Sequence, residues 1–196
     1  MSEANSASAP LATRALLEPP GGLLMWIVVT LELVTFGIIL VFLAGFRASE
    51  TSVFAAGQRL LDPSFGLGLT LTLLTSGWLV AEAVHSVRLE RLTRARWFYA
   101  AGIGLGLVFV GLKAYDYAAK RGLGLGLSDD FGAAYTLATG FHLAHVLVGL
   151  VMLVYVATRV GRKPFEQAET AVAGTALFWH MCDIAWLFLF PIFYVS

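Results

Sequence analysis

Glu32, His142, His145, His180 and Asp183 are ionisable, yet each stands in a stretch otherwise almost free of charge. An acid or imidazole held in an apolar setting is expensive and marks a functional position whose partner has to be found. Desolvation penalises a lone carboxylate, so it must pair or take up a proton. His142 and His145 are three apart, as are His180 and Asp183; residues at that spacing share one face of a helix. Carboxylates and imidazoles brought together in this way can share a proton, pass one on, ligate a metal, or bind haem axially.

The elements that carry them are long and apolar. Hydrophobic residues make up 58% of the 196-residue chain and charged ones 13%, where a soluble domain carries about 25% charged residues. Five apolar segments stand out, at 22–44, 65–85, 97–117, 131–158 and 171–195. Each is near or above the ~20 residues that cross a hydrocarbon core. The chain is therefore expected to be an all-α integral membrane protein, a bundle of five transmembrane helices over residues 21–196. Residues 1–20, rich in Ser, Ala and Pro and without the apolar core of a signal peptide, are expected to form a mobile tail ahead of it.

Basic residues give the orientation. With the N-terminus inside, the inner segments hold Arg14, Arg88, Arg91, Arg94, Arg96, Arg159, Arg162 and Lys163. The outer segments and span ends hold Arg47, Arg59, Lys113, Lys120 and Arg121. The excess predicts N-terminus in and C-terminus out.

Counted along the spans, Glu32 lies about ten residues in, His142 and His145 about eleven and fourteen, and His180 and Asp183 about nine and twelve. Three helices thus place acid and imidazole groups near the bilayer centre. The expectation is one buried, hydrogen-bonded cluster of all five, with the pairing left open. Such a cluster could equally serve only as interhelical glue that fixes helix register. Glu82 and His85 fall near the inner end of the second span, where Arg88 could solvate them as an interfacial pair. Asp116 and Lys113, near the outer end of the third, read as a surface or snorkelling pair.

Other motifs are weaker. Gly102 and Gly106 form a small-xxx-small pair suited to close helix packing. Trp26, Trp97 and Tyr194 fall near span ends, where amphipathic rings prefer the headgroup zone. The lone Cys182 excludes a disulfide within the chain and any multi-cysteine metal site. A neutral formal charge argues against nucleic-acid binding. There is no phosphate loop, nucleophile elbow or HExxH helix, so no catalytic residue and no metal site is assigned. Two rivals use the intramembrane groups themselves. One is an independent electron carrier with haem between histidines of the fourth and fifth spans. The other is a proton-coupled transporter, which has neither an inverted repeat nor a broken span to support it.

The same residues carry a family pattern. The run Thr139-Gly140-Phe141-His142-Leu143-Ala144-His145-Val146-Leu147-Val148-Gly149 resembles the TGFHxxHVxxG signature of subunit III of the haem-copper oxidases. Phe178-Trp179-His180-Met181-Cys182-Asp183, continuing to Phe190, resembles that family's final-helix signature. Glu32 resembles the glutamate of its third helix, while His85-Ser86 and Asp116-Tyr117 fall where members often have His-Ser and Glu-Tyr. The seven-helix members have two further N-terminal helices, and the five-helix form resembles quinol oxidase subunit III and the NorE-like proteins associated with nitric oxide reductases. Leu24-Met25-Trp26, Leu73-Leu74-Thr75-Ser76-Gly77-Trp78 and Leu189-Phe190-Pro191 are most similar to the NorE-like branch.

The resemblance implies a non-catalytic accessory subunit in a bacterial inner membrane. It would support the assembly, stability and proton uptake of a catalytic partner, either an oxidase or a nitric oxide reductase. Haem, with copper or non-haem iron, would belong to that partner; this chain would hold no redox cofactor and could hold phospholipid.

Overall fold

The computed structural model describes residues 19–122, 125–161 and 168–195. Among them are six helices and no strand: α1 (Leu23–Ser49), α2 (Thr51–Gln58), α3 (Pro63–Arg88), α4 (Leu92–Gly122), α5 (Asp130–Arg159) and α6 (Ala168–Tyr194). All but α2 are long and apolar enough to cross a membrane. The five expected spans are therefore present, each longer than its apolar stretch. The short α2 was not anticipated.

Polar caps extend the helices past the hydrophobic runs. The Asp62 carboxylate accepts from the Ser64 amide at 2.8 Å, and Pro63 opens α3, where its missing N–H costs nothing. Asp129 accepts from the Gly132 amide at 2.7 Å at the start of α5. The α3–α4 turn is only a few residues long, with Glu90 left-handed at φ 57°. Across that same end, the Arg96 guanidinium donates to the Val160 carbonyl at 2.9 and 3.1 Å, tying the start of α4 to the end of α5.

α3 and α4 pair along their lengths, and α6 packs against α1, α3 and α5. In lipid, helices gain little from hydrophobic burial and associate through close packing and hydrogen bonds. Gly102 and Gly106 serve that purpose as expected. The Ser76 hydroxyl donates to the Gly102 carbonyl at 2.7 Å. A Cβ on Gly106 would meet Trp179 at 2.9 Å, and one on Gly149 would meet the same indole at 2.8 Å. These two glycines form the slot that holds the fully buried Trp179 ring. α1 lies at the margin: its buried residues are Val29, Phe36 and Leu43, one stripe at a spacing of seven.

Candidate functional site

The five intramembrane groups come from α1, α5 and α6, but they do not form the single hydrogen-bonded cluster expected of them. They separate into three units. Glu32 Oε2 lies 3.0 Å from His145 Nε2, linking α1 to α5. His180 Nδ1 lies 3.1 Å from Asp183 Oδ2 within α6. His142 Nε2 lies 3.0 Å from the Cys182 carbonyl, linking α5 to α6. The Phe36 ring of α1 packs on both His142 and His145, at centroid distances of 6.2 and 5.3 Å.

Each unit has its own proton arithmetic. His145 Nδ1 lies 2.8 Å from the Phe141 carbonyl, which can only accept. Nδ1 therefore carries a hydrogen, and a bond between Nε2 and Glu32 requires one more proton on one of those two atoms. The pair holds it either as imidazolium with carboxylate or as imidazole with carboxylic acid. His142 is fixed differently, because the Cys182 carbonyl demands a hydrogen on Nε2 while Nδ1 is buried without a partner. Asp183 is seated by a glycine: a Cβ on Gly77 would come within 2.1 Å of Asp183 Oδ2. Its other oxygen, Oδ1, is buried without a partner.

The His142 site does not suit an axial haem. His142 is fully buried, with Trp186, Phe109 and Phe36 rings at 5.1, 5.9 and 6.2 Å from its own, which leaves no room for a porphyrin face. Among the described residues, no three His, Cys, Asp or Glu converge as metal ligands.

A second polar centre is more deeply buried than the sequence suggested. Lys113, Asp116 and Lys120, on one face of α4, are 0%, 5% and 7% exposed, so the reading of Asp116 and Lys113 as a surface or snorkelling pair is corrected. Asp116 is bridged by Lys120 at 2.6 Å and Lys113 at 3.2 Å. The Tyr135 hydroxyl donates to Asp116 and accepts from Lys113 at 2.8 Å and Lys120 at 2.9 Å. Tyr194 joins at 2.7 Å from Tyr135. Tyr194 is thus a buried member of this network from α6 and not a headgroup-zone ring. Trp26 and Trp97 are exposed, at 41% and 75%. The signal for this centre was the 113, 116, 120 spacing, which places all three on one helix stripe. Its tyrosine partners sit on other helices, where spacing says nothing.

Glu82 and His85 stay at the periphery. Glu82 faces Arg94 of α4 at 3.9 Å, not Arg88, and both side chains are substantially exposed. His85 is exposed beside Arg88.

Five membrane-length helices locked by intramembrane acid, imidazole and lysine groups define a polytopic membrane protein held together in part by polar contacts. The family model for cytochrome c oxidase subunit III matches residues 22–196. A probable cytochrome c oxidase subunit 3 of Mycobacterium bovis is 29% identical over 175 residues, 88% of this chain and 85% of that protein. Cytochrome c oxidase subunit 3 of Corynebacterium diphtheriae is 29% identical, covering 70% of this chain and 68% of its own. The wheat (Triticum aestivum) protein of that name is 34% identical over 70% of this chain and 52% of its own length. The chain belongs to the cytochrome c oxidase subunit III family, whose members are membrane subunits of haem-copper oxidases.

Proposed function

We propose that this chain is a non-catalytic accessory subunit of a respiratory haem-copper complex in a bacterial cytoplasmic membrane, and that its catalytic partner is of the nitric oxide reductase type. The subunit supports the partner's assembly, stability and proton uptake. The observation that carries the accessory role is the use of the polar groups: each intramembrane ion or imidazole is engaged by another group of the same chain, across helices for Glu32 with His145 and His142 with the Cys182 carbonyl, and within one helix for His180 with Asp183 and Lys120 with Asp116. The match over residues 22–196 supports the haem-copper context. The NorE-like residues in α1, α3 and α6 favour the nitric oxide reductase branch over a terminal oxidase.

Burial of Lys113 and Lys120 also supports an N-terminus-in orientation. With those two lysines drawn inside the bundle around Asp116, Arg47, Arg59 and Arg121 remain at one end, against Arg88, Arg91, Arg94, Arg96 and Arg159 at the other. The positive-inside rule then places the second end in the cytoplasm.

The test is purification of the tagged chain from native membranes in mild detergent, after growth on oxygen and after growth on nitrate. A many-span haem protein should co-purify, with the larger yield on nitrate if the partner reduces nitric oxide. The chain expressed alone should show no Soret band. Recovery of the chain without any haem protein under both conditions would overturn the proposal.

A further inference from the structure

An open cleft runs between α1, α3 and α6 from the end that carries Arg88, with a polar outer part and a more open, mainly apolar part nearer the bilayer centre. Its outer chamber, about 460 Å³, is lined by the 19–22 backbone, Arg88, Glu169 and Thr170. Its inner chamber, about 330 Å³, shares Pro20, Arg88 and Ala173 with the outer one and continues past His85 and Ala176 to His180. The entrance is backed by close helix packing: a Cβ on Gly21 would lie 2.8 Å from the Gly174 Cα. At ~1.5 Å per residue, His180 is about 16 Å along α6 from Glu169, roughly half of a ~30 Å hydrocarbon core.

The two members of the α6 unit differ sharply in access. The His180 side chain is 39% exposed and lines the inner chamber, while Asp183 is 8% exposed. Asp183 Oδ2 is hydrogen-bonded to His180 Nδ1 at 3.1 Å, and Oδ1 is buried without a protein partner. A buried carboxyl oxygen is costly to leave so unless water or its own proton satisfies it. The charged and titratable groups facing the cleft are Arg88 and His85 from α3 and Glu169 from α6; α1 contributes Trp26. A lipid tail in the inner chamber would leave His180 against hydrocarbon, whereas water would solvate it.

We propose that this cleft is an aqueous inlet through which Asp183 exchanges a proton with the arginine-bearing side of the membrane, with His180 as the transfer group. A hydrated proton in the inner chamber passes to His180 Nε2, leaving water behind, and the Nδ1 hydrogen passes to Asp183 Oδ2. One proton enters the ring and one leaves it, no electron moves, and the reverse sequence returns the proton to water. The role does not depend on which catalytic subunit the chain joins.

The test uses the intact complex in sealed vesicles of both orientations. A173C and A176C should react with a membrane-impermeant charged thiosulfonate roughly tenfold faster than L187C, and from the arginine-bearing side only, because the reacting thiolate needs water. Leu187 is 43% exposed on the outside of α6, and the native Cys182 is fully buried. Infrared difference spectra in deuterium oxide should show a carboxyl band that D183N removes. Deuteration of that band should slow roughly tenfold or more in H180A and recover with added imidazole, as expected for a positioned proton carrier. A176C reacting no faster than L187C would mean a dry, lipid- or protein-filled cleft and would overturn the proposal. So would deuteration that is unchanged in H180A, or slowed but not restored by imidazole.

Discussion

The Glu32 carboxylate meets the His145 ring at 3.0 Å across 113 residues of chain, joining α1 to α5 beside a crevice in which those helices stand apart. That crevice, about 680 Å³, runs between Ile38, Ile39 and Phe42 of α1 and Leu137, Gly140 and Phe141 of α5. The pair acts as a strut: α1 packs mainly on α6, reaches α5 through Phe36, and this polar contact fixes its rotation.

Replacing Glu32 by Ala should therefore loosen α1 without collapsing the bundle. Interhelical hydrogen bonds in membranes average about 0.6 kcal/mol and reach ~1.7. The expected result is a partial loss of complex yield, with near-normal turnover per assembled complex. Blue-native gels with activity staining measure both quantities. Normal yield with strongly reduced turnover would instead assign the pair a direct part in proton delivery.

The Lys113–Asp116–Lys120 centre should be far less forgiving. D116A leaves two buried ammonium groups without their carboxylate, and breaking a buried ion pair costs about 3–5 kcal/mol. Loss of the folded monomer in detergent is expected by size-exclusion chromatography. The triple variant K113M/D116L/K120M removes every charge at once and should recover much of the loss. Failure of that rescue would mean that the network specifies the fold and does more than balance its own charges.

Two glycines separate packing from propensity. G77A drives a methyl into Asp183 Oδ2 and should lower the melting temperature in detergent, whereas nothing lies within 4 Å of a Cβ built on Gly37. G37A should be neutral or slightly stabilising, since Ala is favoured over Gly in a helix by about 1 kcal/mol. Equal effects of the two substitutions would contradict the seat described for Asp183.

Ser76 offers a milder probe of the α3–α4 pair. S76A removes the only side-chain donor to the Gly102 carbonyl among the described residues. The carbonyl keeps its helical partner, so a cost near the ~0.6 kcal/mol average is expected. Thermal unfolding monitored by tryptophan fluorescence would register it as a small downward shift. A large one would mean that Ser76 also holds a group not among its contacts here.

Much of this was legible in advance. Hydropathy alone marked the five spans, and the i,i+3 spacing of His180 and Asp183 matches their contact at 3.1 Å, whereas His142 and His145 turn to different helices. The misreadings came at Asp116, Lys113 and Tyr194. A charge near a span end looks the same in sequence whether it snorkels outward or turns inward. Only the arrival of Tyr135 from α5 and Tyr194 from α6 made the inward choice affordable. The single five-member cluster failed for a related reason, since depth along a helix can be counted but the turn of His145 to Glu32 and of His142 to the Cys182 carbonyl cannot.

By itself the amino-acid sequence determined that this chain lives in lipid, how many times its helices cross, and which side chains are too polar to face hydrocarbon. Those are local properties of composition and period. The tertiary structure alone decided which groups meet: Glu32 with His145, His142 with the Cys182 carbonyl, and two lysines around Asp116. Pairing depends on the rotation and crossing of whole helices, and these are set by glycine slots and ring packing summed over the bundle.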